Sequence, residues 1–396
     1  MTGSLQEKNG MYQMVFNIKD ANGKRKQKWV STGLPVKGRN KRKAEQMLTQ
    51  MLAEHADGGF IEPSKMLYCD FLSDWIKSNK QNYQATTYMN YMHMLDRHIY
   101  PYFKKTNLLL TDVTPSHIQR YYTSKTEEGL SPNTVIKHHA IMRTALQYAV
   151  KTKQIKENPC DVVVKPKRKR YVAEYYTAEE IQLLLDVSKG STIEVPIFIA
   201  VYFGLRRSEI FGLKWSAIDP RNKVLKVCHK VVRAKEDGKM VNIATDDLKT
   251  ETSYRVLPLD ERLLNFLMEV RHQQEQNQAL CGDAYNGEYL EYVCVNGLGV
   301  RHNPDYITDV FGKIIARNDM KHIRFHDLRH SCASMLLSLG YSMKDIQEWL
   351  GHSNFQTTAN IYSHVDPRNK KEMIRGLSSA LDAKKSDGVP QEPSDE

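Results

Sequence analysis

Six cysteines in 396 residues, Cys69, Cys160, Cys228, Cys281, Cys294 and Cys332, are scattered without a C-x-x-C pair. That spacing excludes a zinc ribbon and gives no disulfide framework, so the thiols are expected to be reduced and buried, with no metal bound. No run approaches the roughly eighteen apolar residues that a membrane span needs, and the first thirty residues carry no signal-peptide core. The expectation is a cytoplasmic protein with no membrane partner. A G-x-x-x-x-G-K-[ST] loop is also missing, which removes that means of cradling ATP phosphates. Acidic residues are outnumbered: 57 Lys and Arg against 46 Asp and Glu leave a net charge of +11 and a pI near 9.1, which suits a polyanionic partner. Hydrophobic residues make up 41%, enough at this length for two or three packed cores.

Residues 1–63 read as a small basic module. Tyr12, Met14, Phe16 and Ile18 alternate, Asp20 to Gly23 supply a turn, and Lys24 to Thr32 resume a strand, so a β-hairpin is predicted. A helix from Lys37 to His55 follows, with lysine or arginine at 37, 39, 41, 42 and 43. Cations at a helix N-terminus oppose its dipole, so a phosphate partner accounts for them better than helix stability does. Residues 64–164 show four amphipathic helical segments, Cys69 to Lys77, Thr86 to Ile99, Thr114 to Tyr122 and Pro132 to Thr152. His138 and His139 in the last of these have no evident partner and are assigned a surface or structural role. A basic tether, 165–175, then carries Lys165, Lys167, Arg168, Lys169 and Arg170.

The third region, 176–371, opens on Thr177, Ala178, Glu179 and Glu180, the pattern of a capping box. Strands are predicted at Lys223 to Val232, Gly238 to Thr245 and Arg255 to Leu259, with Lys249 on a hairpin between them; the rest reads as helical. The polar tail after 371 includes a short amphipathic stretch with Met373, Ile374, Leu377 and Leu381, able to pack in cis or on a neighbour. The chemistry concentrates here. Gly204, Leu205, Arg206, Arg207, Ser208 and Glu209 follow the apolar run Val195 to Phe203, placing an arginine near a helix start. His326 and Arg329, three apart, share a helix face and can touch one anion. Gly351 after the run Met343 to Leu350 is a helix stop that aims His352, and Tyr362 lies in the next predicted helix.

The ordered set Arg206, Lys249, His326-x-x-Arg329, Gly351-His352 and Tyr362 resembles the signature of the tyrosine recombinases, the phage-integrase family of site-specific DNA recombinases. The resemblance implies a multidomain, mainly α protein with small β elements. Its parts would be an N-terminal sheet-plus-helix module for arm-type DNA sites, a four-helix core-binding domain and a mixed α+β catalytic domain. It implies an enzyme that needs neither metal nor ATP. Tyr362 would attack the phosphodiester to give a 3′-phosphotyrosine, which stores the bond energy for rejoining. Arg206 and Arg329 would hold the non-bridging oxygens, His352 and His326 would add hydrogen bonds or move a proton, and Lys249 would protonate the departing 5′-oxygen. Glu209 is expected to orient Arg206 by an ion pair without touching DNA. The rival arginines Arg207, Arg255 and Arg324 are read as phosphate contacts or surface charges, and His330 as a structural histidine on the opposite side of its helix from the site.

Double-stranded DNA is the expected partner, contacted by Lys24, Arg25, Lys26, Lys28, Lys41, Arg42 and Lys43 in the first module, by Lys137 and Arg143 in the bundle, and by Lys167, Arg168, Lys169 and Arg170 in the tether. A homotetramer working through a Holliday junction is expected, with an excision factor and a host DNA-bending protein as further candidates. The integrase of a temperate phage or conjugative element is the favoured reading. A chromosome-dimer resolvase, a type IB topoisomerase-like enzyme and a catalytically silent DNA-binding regulator are its rivals.

Overall fold

In the computed structural model the described residues are 2–19, 25–54, 65–169, 174–236, 239–246, 253–355, 374, 375 and 378. Lys24, Arg170, Lys249 and Tyr362 lie outside them, as does most of the predicted helix that carries the tyrosine. The chain is mainly helical with small sheets, in two compact units, Met1–Arg170 and Tyr171–Glu396.

The N-terminal module is a three-stranded antiparallel sheet, β1 (Thr2–Lys8), β2 (Met11–Lys19) and β3 (Arg25–Pro35), in that order, followed by helix α1 (Asn40–Glu54). The predicted hairpin is β2–β3; β1 was not legible, because TGSLQEK alternates only weakly. Met14, Val15, Phe16 and Ala44 form its core. Gly3 permits close packing, since a Cβ there would lie 3.0 Å from Leu48 Cδ1 and 3.1 Å from Phe16 Cδ1.

The bundle that follows comprises α2 (Tyr68–Ser78), α3 (Ala85–Met94), α4 (Tyr100–Thr106), α5 (Pro115–Glu127) and α6 (Pro132–Lys151). The segment Leu95–Ile99 between α3 and α4 is a π-helical turn, with the Tyr100 N–H reaching back to the Leu95 carbonyl. Leu72, Ile76, Leu95, Ile99, Phe103, Ile118, Met142 and Leu146 are fully or almost fully buried together. The two histidines of α6 do have partners, contrary to the sequence reading. Tyr121 Oη and His138 Nδ1 are 2.9 Å apart, and Tyr122 Oη and His139 Nδ1 2.7 Å, all four inside the core. Past α6 the chain returns along the bundle, where Asn133 Nδ2 donates to the Lys169 carbonyl at 2.8 Å.

The second unit contains α7 (Ala178–Val187), α8 (Glu194–Phe203), α9 (Arg207–Gly212), β4 (Ile218–Asp219), β5 (Val224–Val227), β6 (Lys230–Glu236), β7 (Lys239–Thr245), β8 (Arg255–Pro258), α10 (Glu261–Cys281), α11 (Pro304–Arg317), α12 (Asp327–Ser338) and α13 (Met343–Leu350). Thr177 and Glu180 form the expected capping box of α7. The strand predicted from Lys223 to Val232 is two strands. β5 pairs with β8, while β6 forms a separate antiparallel ribbon with β7. The break at Cys228 and His229 has a physical cause: His229 hydrogen-bonds Asp246 through Nδ1 and Tyr292 Oη through Nε2 at 3.2 Å. Gly212 closes the other side, because a Cβ there would lie 2.5 Å from Lys230 Cα and 2.6 Å from the His229 carbonyl oxygen. Lys249, which falls between β7 and β8 in the sequence, lies outside the described residues. Among the described residues no helix is long and apolar enough to cross a membrane.

Candidate active site

Three chain segments converge in the second unit. Helix α8 is almost wholly apolar and ends at Gly204 (φ 59°), where a Cβ would meet Leu350 Cδ2 at 2.4 Å. The left-handed turn swings the chain so that Arg206 becomes the N-cap of α9. Helix α12 begins after His326 and carries Arg329 in its first turn. Helix α13 ends at Gly351 (φ 68°), the predicted stop, after which the His352 N–H bonds the Gln347 carbonyl at 3.0 Å.

Two arginines stitch these segments together. Arg329, 2% exposed, donates through Nη1 to the Gly204 carbonyl and through Nη2 to the Leu350 carbonyl, each at 2.6 Å, and its Nε lies 3.3 Å from His352 Nε2. Arg206, with 32% of its side chain exposed, donates through Nη2 to the Gly351 carbonyl at 2.6 Å and through Nη1 to Glu209 Oε1 at 2.6 Å. The ion pair foreseen for Glu209 is therefore in place, and Glu209 is buried.

Glu209 has a second partner that the sequence reading set aside. Arg255, its side chain 6% exposed, donates through Nη2 to Glu209 Oε2 at 2.8 Å. It is therefore a buried ion-pair partner and not a surface charge. In β8 Val256 is exposed and Leu257 buried, so the period of two puts Arg255 on the inward face with Leu257; with Val256, Leu257 and Leu259 all apolar, the sequence alone does not mark that face. The other two rivals are held elsewhere. Arg207 bonds the Pro304 carbonyl at 3.1 Å and Thr308 Oγ1 at 3.2 Å, and Arg324 forks onto the buried Asp327 at 2.7 and 2.9 Å.

Three guanidiniums around one carboxylate leave an excess of positive charge at the cluster. Burial alone would raise the Glu209 carboxyl, but Arg255 and Arg206 outweigh it and bring it down to about 2. Burial, with Arg329 and Arg206 beside it, pushes His352 down to about 3, and burial with the Arg206 charge lowers Arg329 to about 9. His326 is exposed at its edge, yet partial burial and the neighbouring His330 and Arg329 bring it to about 4. At neutral pH the imidazoles are uncharged and the arginines carry the field. His330 does not turn away from the site as expected. Its ring sits edge-on to His326 at 5.7 Å, because residues four apart share a helix face, and its buried Nδ1 has no hydrogen-bond partner among the described residues.

Of the proposed DNA contacts, Lys26, Lys41, Arg42, Lys43, Lys137, Lys167, Arg168 and Lys169 are exposed, and Lys28 is half-buried. Arg25 is described only as backbone in β3. Arg143 is ion-paired to Asp161 through Nε at 2.7 Å. Among the described residues no group of His, Cys, Asp and Glu could hold a metal ion.

Residues 174–369 match the phage integrase family, and residues 68–126 match the N-terminal SAM-like domain of phage integrases. The chain is 28% identical over 389 residues to a protein named tyrosine recombinase XerC-like from Caldanaerobacter subterraneus subsp. tengcongensis, covering 94% of this chain and 97% of that one. It is also 28% identical over 322 residues to the ICEBs1 integrase of Bacillus subtilis, covering 76% of this chain and 79% of that protein. Its fold is similar to that of the Tn1549 transposon integrase solved with a circular intermediate DNA, with a TM-score of 0.63 and 20% identity, covering 79% of this chain and 99% of that one. With these matches beside the convergence of Arg206, Arg329 and His352, the chain belongs to the phage integrase family and is a tyrosine recombinase, an enzyme that cleaves and rejoins DNA through a tyrosine.

Proposed function

We propose that the protein is the integrase of a mobile element, a phage or a conjugative transposon, and that Tyr362 is its nucleophile. The observation that carries the reading is the joining of Arg206, Arg329 and His352 at one point by bonds to Gly204, Leu350 and Gly351. A guanidinium has five N–H donors. Those of Arg329 and Arg206 not committed to carbonyls, His352 and Glu209 remain for the non-bridging oxygens of a phosphodiester, whose negative charge grows on the way to the pentacoordinate transition state.

The step balances without a cofactor. Tyr362 Oη forms a bond to phosphorus as the phosphorus–O5′ bond breaks; the phenol loses a proton and the 5′-oxygen gains one from Lys249. Rejoining is the reverse with another strand's 5′-hydroxyl. His326 would add a hydrogen bond to the non-bridging oxygens or help move the phenolic proton. The proposed DNA grip uses residues 1–63 on arm-type sites, with Lys26, Lys28, Lys41, Arg42 and Lys43, and residues 64–164 as the core-binding domain. The tether crosses the phosphate backbone. Four protomers would exchange strands through a Holliday junction.

A nicked duplex carrying the preferred core sequence tests this. The full chain should become covalently attached to the 3′-phosphate of that strand, and Tyr362→Phe should abolish the adduct. An adduct that survives in Tyr362→Phe removes the assignment. Adduct formation on any sequence, with relaxation of supercoils, favours a topoisomerase-like enzyme instead.

A further inference from the structure

We infer that Arg255 is a positioning residue for the Arg206 guanidinium, acting through Glu209. This rests on the reading of Arg206 as a phosphate clamp. Glu209 is held at both oxygens: Oε1 takes Arg206 Nη1 at 2.6 Å, while Oε2 takes both the Arg206 backbone N–H at 2.9 Å and Arg255 Nη2 at 2.8 Å. Arg255 is itself fixed by a bond from Nη1 to the Ser253 carbonyl at 3.1 Å and by the β5–β8 pairing. The carboxylate thus cannot rotate about its terminal bond without breaking contacts on both sides. Arg206, its side chain 32% exposed, is the outermost member and is aimed by that plane and by the Gly351 carbonyl.

Charge gives Arg255 a second effect. Glu209 alone would neutralise Arg206, and the guanidinium would offer little net field to a phosphate. Sharing the carboxylate between two guanidiniums returns part of that charge to the exposed one. A plain strut between sheet and helix would not require this. Buried ion pairs contribute little net stability over apolar replacements, so packing is a poor reason for an arginine at this point.

The test compares two scissile groups in a nicked core duplex, recovered by selection from randomised DNA with the full chain. One carries the ordinary phosphodiester and the other a methylphosphonate, in which a methyl replaces a non-bridging oxygen and removes the charge that Arg206 must meet. Single-turnover adduct formation is measured on denaturing gels. Arg255→Met should slow the phosphodiester by about 10- to 100-fold and the methylphosphonate far less, as should Arg206→Ala. Arg255→Lys should recover most of the loss, and adding Arg255→Met to Glu209→Gln should cost little more. If Arg255→Met is not folded by circular dichroism, Arg255→Gln, which removes the charge and keeps a polar end, carries the same comparison. Equal slowing on both substrates, with Arg206→Ala still relieved on the methylphosphonate, overturns the inference alone. No relief for Arg206→Ala overturns the clamp reading and the inference with it.

Discussion

Arg329 Nε lies 3.3 Å from His352 Nε2, and because a guanidinium only donates, the imidazole accepts at that nitrogen and keeps its proton on Nδ1. The pair fixes a tautomer as well as a position. Nitrogen-15 correlation spectra of histidine-labelled protein should show His352 as the Nδ1–H form, unchanged from pH 8 to pH 5. Its folded pKa is lowered, so the stability it contributes is complete above the unfolded value of about 6.5 and is lost as pH falls towards about 3. A titration centred near 6.5 would mean that the Arg329 contact does not persist in solution.

Arg329 and Arg206 should separate on replacement. Arg329→Met leaves the Gly204 and Leu350 carbonyls buried without their donor, which costs about 2–5 kcal/mol as well as activity. Arg206→Met should cost less, because Arg255 still pairs the buried Glu209, while also losing adduct formation. Chemical denaturation of the two variants decides it, and matching midpoints would contradict the structural role given to Arg329.

Gly212→Ala should destabilise the second unit by about 1–3 kcal/mol. The added methyl meets backbone, Lys230 Cα at 2.5 Å and the His229 carbonyl oxygen at 2.6 Å, so no side-chain rotation relieves it. Unchanged thermal unfolding would show that the approach of α9 to the β5–β6 break is looser than described.

In the bundle, Tyr122→Phe should cost about 1–3 kcal/mol by leaving His139 Nδ1 without its partner. Acid should act on the same core. Burial lowers His138 to about 4 and also lowers His139 and His98, so their share of stability is present above pH 6.5 and declines below it. The fluorescence of buried Trp75 during urea unfolding at pH 7 and pH 5 reads this, and equal midpoints would contradict it.

What was legible in the sequence is what depends on near neighbours. Thr177 with Glu180, Gly351 after α13 and Arg206 with Glu209 are all settled within one helical turn, and each was read correctly. What depends on the path of the chain was not. Arg255 finds Glu209 across 46 positions, His138 and His139 find Tyr121 and Tyr122 across 17, and the break at His229 is imposed by Asp246, Tyr292 and Gly212. No periodicity within β6 announces those partners. His330 was misread by attending to its sequence neighbour Arg329 rather than to His326, one turn away.

The π turn at Leu95–Ile99 makes the bundle unusually tolerant of a change in reading length at one place. Leu95, Ile99 and Phe103, four apart, all face the core, and the wide turn takes up one residue more than ordinary winding would between its flanking helices. Loss of one codon there would let the turn wind as plain α-helix while the helices on either side keep their facing. The shortest in-frame deletion should therefore be milder at this turn than the same deletion inside α5 or α6, where it would rotate everything beyond it by about 100°.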